Sequence, residues 1–489
     1  MKMAKRFIRA LFSLCVLAVA GATMRTPIRH VVVLMEENRS FDHLFGFSSL
    51  KVNKLKGDES NPISLADPTK GAFSVKKGSK FIGPCDPCHG LTCTTSKLDK
   101  GAMDGFVAYE NSQGHGADEE YCGVMEMFDT DDQLPVISFL AREYAIMDNF
   151  FASVPGPTWP NRLFALTGTS AGATETGTWF NNTKGRLYPQ RTIFDSLEES
   201  SLSWKTYYHD LPWNLILESV VKGYKNLWNM ETFFQDAAAG NLPSFSWINP
   251  RLGPNMTTLE GSNDQHPDHD MRLGERLMKD VYEALRASPA WNETLFIITY
   301  DEHGGFYDHV SPPSTDIPSP GDGIPSYPEE FSFDRLGIRI PTILVSPWIE
   351  RNTIISAPSD AQKPFPNSEF ELTSIPATVR KMFGLQSSCL TARSCWAATF
   401  EDELLKRQTP RSDCPMTAPD APSKFMSSDE VSRMKTTGIN DLQADYLELA
   451  ASLRGMDVTR AELKRFMKQS DVAEFFATTV SHVRQERKK

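Results

Sequence analysis

Apolar residues gather in three short runs along this chain, and polar residues follow two of them abruptly. HVVVLM (30–35), TLFIITY (294–300) and IPTILVSPW (340–348) are continuous, β-branched and aliphatic. Runs of this length, bounded by Gly or Pro, fit strands buried on both faces of a mostly parallel sheet. Between them the period becomes helical. Residues 269–288 place Leu273, Leu277, Val281 and Leu285 on one face and lead straight into the second run, which is half of a βαβ unit. Residues 372–385, with Pro376 near the start and Gly384 near the end, read as another helix, and 132–146 as a third. The alternation predicts an α/β fold, a three-layer α/β/α domain around a mostly parallel central sheet. Residues 311–327, rich in Pro and Gly, form a long loop after a strand, a common place for function. From 419 to 489 the pattern turns to short amphipathic helices, a small C-terminal appendage that ends in the basic RQERKK.

The first residues stand apart from this pattern. Lys2, Lys5, Arg6 and Arg9 precede ALFSLCVLAVA and the small residues Ala18, Ala20 and Ala22. That layout predicts a secretory signal peptide over 1–22, too short to span a bilayer, with a catalytic domain over 23–418. Secretion agrees with cysteine usage. Cys15 lies in the leader. Cys85, Cys88, Cys93 and Cys122 form one group and Cys389, Cys395 and Cys414 another, which predicts disulfides closing surface loops with one thiol left over. Cys85-Asp-Pro-Cys88 has no second C-x-x-C to complete a zinc site. Glycosylation sequons occur at Asn38, Asn181, Asn255 and Asn292, with Asn38 too deep in the fold to be modified. The net charge of −11 argues against nucleic acid as a partner, since phosphate binding needs a basic surface.

Chemistry concentrates where strands end. The first run closes in Glu37-Asn38 and the second in Asp301-Glu302-His303-Gly304-Gly305. Ligands of open α/β sheets bind beyond the carboxyl ends of the strands, so two strands deliver oxygen donors to one edge. Carboxylates crowded there resist burial unless a cation joins them, and an all-oxygen set suits Mg, Ca or Mn. Each pair alone would be an ordinary turn; the coincidence of two points to a metal site. A third element holds Thr158 between Pro157 and Trp159-Pro160, where little backbone freedom remains. A hydroxyl beside a metal becomes a nucleophile. Thr167, Thr169 and Ser170 compete for that role. Asn161 and Arg162 follow as substrate-binding candidates, Arg162 as a clamp on phosphate oxygens. His89, His209 and His266 are candidates for proton transfer or charge stabilisation.

MEENRSFDHLFG, PGPTWPNRLFALTGTSAG, NDQHPDHD, TYDEHGGFYDHV and GIRIPTILVSPWI together resemble the phosphoesterase family of non-specific phospholipases C and related acid phosphatases, in the alkaline phosphatase-like superfamily. The resemblance spans about residues 26–403. It implies metal ligation by Glu37, Asn38, Asp301 and Glu302, a Thr158 nucleophile that forms a phospho-enzyme, and phosphate contact by His266, with His89 and more loosely His209 beside it. Where plant members carry Glu-His-Ser-Ser-Ile-Pro this chain has ELTSIP, so Leu372 replaces a histidine and puts substrate choice in question. The implied activity is phospholipase C action on phosphatidylcholine-type lipids, with peripheral membrane contact. A secreted acid phosphatase acting on soluble monoesters is the alternative. Trp159, Phe164, Trp179, Phe180 and Trp213 would line a lipid groove or fill the core. A catalytically dead binding protein would have lost one of the five key residues, and all five are present.

Overall fold

A computed structural model describes residues 26–177, 187–423 and 425–487. The leader, Trp179, Phe180 and the sequon at Asn181 lie outside the described residues. Eight strands form one sheet: β1 (His30–Glu36), β2 (Ala145–Met147), β3 (Trp204–Tyr208), β4 (Leu227–Asn229), β5 (Phe245–Asn249), β6 (Thr294–Tyr300), β7 (Thr342–Val345) and β8 (Thr353–Ile355). Their order is β8-β2-β7-β6-β1-β5-β3-β4. Only β7 runs antiparallel to its neighbours, β6 and β2. The apolar runs occupy the centre. β1 and β6 pair in parallel from His30↔Thr294 to Glu36↔Tyr300, so they end level with each other. Every residue of β6 is buried, and every residue of β1 after His30, as strands covered on both faces require.

The helices used below are α1 (Phe41–Phe45), α2 (Pro135–Glu143), α3 (Thr158–Thr167), α4 (Met271–Ala287), α5 (Ser374–Met382), α6 (Asp441–Leu453), α7 (Arg460–Phe466) and α8 (Gln469–Glu486). Asp270 caps α4 by accepting from the Arg272 N–H at 3.0 Å. Glu275 of α4 is buried and accepts from the amides of Val136 at 2.6 Å and Ile137 at 3.1 Å, filling open donors in the first turn of α2. The expected helix over 132–146 is corrected: α2 stops at Glu143 and 145–147 is a strand of the sheet. Pro135 sets the helix start with its fixed φ, and Tyr144 leaves helical space at φ −134°, ψ −135°. β7 is shorter than its apolar run, because Pro341 and Pro347 cannot donate to a ladder.

The C-terminal helices pack on the rest of the chain rather than hanging from it. Leu442, Tyr446, Leu447 and Phe476 belong to the same apolar core as β1 and β6. Tyr446 meets Trp159 of α3 edge-on with ring centroids 5.8 Å apart. Disulfides join Cys85 to Cys122, Cys88 to Cys93 and Cys389 to Cys395, leaving Cys414 as a buried thiol. Among the described residues no helix is long and apolar enough to cross a membrane.

Candidate active site

Because β1 and β6 end level, Glu37-Asn38 and Asp301-Glu302 leave the sheet side by side. Backbone bonds lock the two turns together: the Arg39 N–H donates to Glu302 O at 3.0 Å, and the Asn38 N–H to Asp301 Oδ1 at 3.0 Å. Asn38 takes a left-handed conformation, φ +58°, which asparagine tolerates better than most residues. Gly304, φ +64°, packs so tightly against it that a Cβ would lie 2.1 Å from Asn38 O. The Asn38 side-chain oxygen rests against Glu302 Oε1 and 3.2 Å from Glu37 Oε1, so one acceptor faces two others. Turning the amide over lets its nitrogen donate to both carboxylates. A divalent cation relieves the same conflict with the oxygen facing in, and the donor set fits a hard cation. Burial pushes Glu37 and Glu302 well above the usual carboxylate range, and Asp301 adds to both shifts. Asp301 takes the Asn38 and Glu302 amides on Oδ1 and Arg162 Nε on Oδ2 at 2.8 Å, which leaves Oδ2 room for one more partner.

Thr158 is the first residue of α3, and its hydroxyl donates to Glu37 Oε1 at 2.7 Å. The head of a helix presents open amides and a positive dipole end, which suits a phosphate. The competing hydroxyls are engaged elsewhere. Thr167 donates to Leu163 O and Thr169 O, Ser170 to Ala173 O, and Thr169 to Asp322. Thr158 opens on a cleft of about 510 Å³ that is also lined by His89 and His266. His266 Nδ1 bonds Asp268 Oδ1 at 2.5 Å, while Nε2 lies 3.5 Å from Asp86 Oδ2. Burial works against its charge, but Asp86, Asp268 and Asp264 outweigh it and raise His266 to about 10. His89 Nδ1 donates to Pro87 O at 2.7 Å, which leaves Nε2 facing Glu302 Oε1 at 3.9 Å.

The phosphoesterase family profile matches residues 28–386. The chain belongs to the phosphoesterase family. Relatives include the non-specific phospholipase C6 of Arabidopsis thaliana, 41% identical over 88% of this chain and 82% of that protein. The non-specific phospholipase C3 of the same plant is 37% identical over 96% and 91% respectively. Phospholipase C B of Mycobacterium tuberculosis is 28% identical over 75% of each. The protein is accordingly a hydrolase of phosphoric ester bonds.

In this phosphoesterase three expected site residues have other partners or another place than the cleft. Arg162 holds the strand ends, with Nε on Asp301 and Nη2 on Glu37. Burial opposes its charge, yet Glu37 and Asp301 raise it further above its ordinary value. Asn161 binds the chain itself: its Nδ2 donates to Val154 O, Gly156 O and Pro157 O, and its Oδ1 accepts from the Val154 N–H. It shapes the loop that presents Thr158. His209 lines a separate small cavity with Arg251, Glu260 and Asn263, away from the Thr158 cleft. Trp159, Phe164 and Trp213 are core residues, each at most 2% exposed, and none lines the Thr158 cleft. Leu372 is likewise fully buried in the main core, outside the cleft.

Residues that sequence reasoning missed form the cleft walls: Glu175, Glu329, Asp441, Leu442, Asp445 and Arg460. Only tertiary folding brings them there. Burial pushes Glu175 and Asp445 each up to about 7. Two other clusters resemble metal sites without needing a metal. Cys85 and Cys122, near His115, are joined as a disulfide. Asp42 and Asp308, beside His309, already share a cation in Arg339, at 3.0 and 2.9 Å.

Proposed function

We propose that this phosphoesterase is a secreted, metal-dependent phospholipase C that acts on phosphatidylcholine-type lipids through a phospho-Thr158 intermediate. The observation that carries this reading is the Thr158 hydroxyl, held 2.7 Å from Glu37 at the head of α3 and opening into the cleft. Glu37, Asn38, Asp301 and Glu302 would hold the cation. A bound divalent cation supplies Lewis-acid polarisation of the phosphoryl group and favours the alkoxide form of a nearby hydroxyl.

Glu37 takes the Thr158 proton as Oγ1 attacks phosphorus in line. The bond from phosphorus to the diacylglycerol oxygen breaks, and a proton reaches that oxygen from His266, which Asp86 and Asp268 keep charged at neutral pH. Water then attacks phospho-Thr158 and gives a proton to the now neutral His266, while Glu37 returns its proton to Oγ1 as the phosphorus–Oγ1 bond breaks and phosphocholine leaves. Positioning and charge stabilisation do most of this work. Five carboxylates line the cleft, Asp86, Glu175, Glu329, Asp441 and Asp445, against one arginine, Arg460. That balance suits a head group carrying a positive charge. Three disulfides support an oxidising compartment, in keeping with a leader peptide.

The mostly polar and charged lining of the Thr158 cleft favours a second reading, a phosphatase acting on soluble monoesters. Phosphatidylcholine vesicles and p-nitrophenyl phosphate, each with and without chelator, separate the two. Phosphocholine release that chelation stops establishes the lipase. Turnover of the monoester alone establishes the phosphatase. Thr158→Ala is expected to lower turnover by at least roughly three orders of magnitude with an unchanged melting temperature. Retained activity would show that Thr158 is not the nucleophile.

A further inference from the structure

We propose that Lys97 and Glu110 are positioning residues: their buried ion pair ties the loop carrying His89 to the turn after Glu302 and so sets the imidazole against the Asn38–Glu302 cluster. The inference rests on the reading of His89 as a site residue. Lys97 lies on the helix Leu91–Leu98 and Glu110 on Phe106–Ser112. Their side chains are 0% and 1% exposed. The ammonium group has three hydrogens and finds three acceptors: Glu110 Oε1 at 2.6 Å, Cys88 O at 2.7 Å and Gly305 O at 3.1 Å. Glu110 Oε1 also accepts from the Cys88 N–H at 3.1 Å. Both backbone polar groups of Cys88 are therefore held by one ion pair, and His89 is the next residue.

The second loop meets the first at the same point. A Cβ on Gly305, φ +76°, would lie 2.7 Å from Cys88 O and 2.9 Å from Lys97 Nζ. Residues 85–90 and 303–305 form neither helix nor strand, so no ladder places them. The Cys88–Cys93 disulfide closes the His89 loop through side chains and leaves the Cys88 amide and carbonyl to the ion pair. A buried ion pair is no more stabilising than apolar residues of similar volume. What this pair adds is a fixed geometry between two loops that each carry site groups.

The test is Lys97→Met combined with Glu110→Gln, which removes both charges and leaves neither unpaired. The crystal structure of the variant is determined, and kcat and KM are measured on p-nitrophenyl phosphate and phosphatidylcholine vesicles. The expected protein is folded, with the His89 ring displaced from Glu302. Its kcat is expected to be about 100-fold lower, the scale of a 1 Å misplacement, with KM within about twofold. A ring still 3.9 Å from Glu302 with kcat intact overturns the proposal. His89→Ala separates the two readings. If that variant keeps full activity, the role of His89 fails, and the positioning claim is still decided by where the ring lies in the double variant. If the double variant does not fold, Glu110→Asp keeps both charges, shortens the arm by one methylene, and is judged by the same structure and kcat.

Discussion

At the scale of single residues, charge pairing explains more of the site than residue type does. Arg162 looks from sequence like a phosphate clamp, yet its Nε and Nη2 go to Asp301 and Glu37, because two buried carboxylates at adjoining strand ends need a cation close by. Leu372 shows the reverse. Its position suggests substrate selection, but its full burial in the core makes it a packing residue. Leu372→His is expected to cost about 2–4 kcal/mol, from a lost apolar side chain and a buried ring without partners, with head-group preference unchanged. Urea denaturation and a substrate panel read the two effects. His266 makes stability depend on pH. Its folded pKa, about 10, exceeds the unfolded value near 6.5, so the folded state binds more protons between those values. Its contribution is complete below about pH 6.5 and is lost as pH rises towards about 10. Urea midpoints across this window are expected to fall with rising pH, and Asp268→Asn to flatten the fall by removing a carboxylate that holds the proton.

At the scale of elements, legibility follows length and context. β1 and β6 are long, apolar and buried throughout, so their sequence alone declares them and the donor pairs at their ends. β2, β4 and β8 are three residues each, too short for any period to show, and β2 sits where a helical pattern seems to continue. Thr158 was legible because prolines and a strand-end neighbour isolate it. The job of Asn161 was not, because it consists of bonds to backbone carbonyls that the sequence does not display. The turn after β6 carries its own prediction. Gly304→Ala would drive a Cβ to 2.1 Å from Asn38 O in a left-handed conformation. The two turns must then part. Calorimetric titration with divalent metal is expected to show affinity weakened by about tenfold or more, with melting lowered by several degrees.

At the scale of the whole molecule, the cleft is assembled from distant parts of the chain. Asp86 to Gly90 give one side, α3 gives Thr158, and Asp441, Leu442, Asp445 and Arg460 from α6 and α7 give one wall. The family profile ends at residue 386, well before that wall begins. The wall also steadies the histidines: Asn440 donates to Asp268 at 2.9 Å, and Asp268 holds His266. Truncation after Ala418 is expected to abolish turnover and to lower the melting temperature, because Leu442, Tyr446 and Phe476 leave the common core. A truncated chain with full kcat would show that the helices are dispensable.

That wall has a consequence in time as well as space. A ribosome delivers Glu302 long before Arg460, and at 5–20 residues per second the interval is roughly 8–30 s. Throughout it the nascent chain already holds Thr158 and the strand-end oxygen donors but lacks one side of the cleft and the Asn440 partner of Asp268. A hydrolase of phosphoric esters thus completes this cleft among the last steps of its own synthesis.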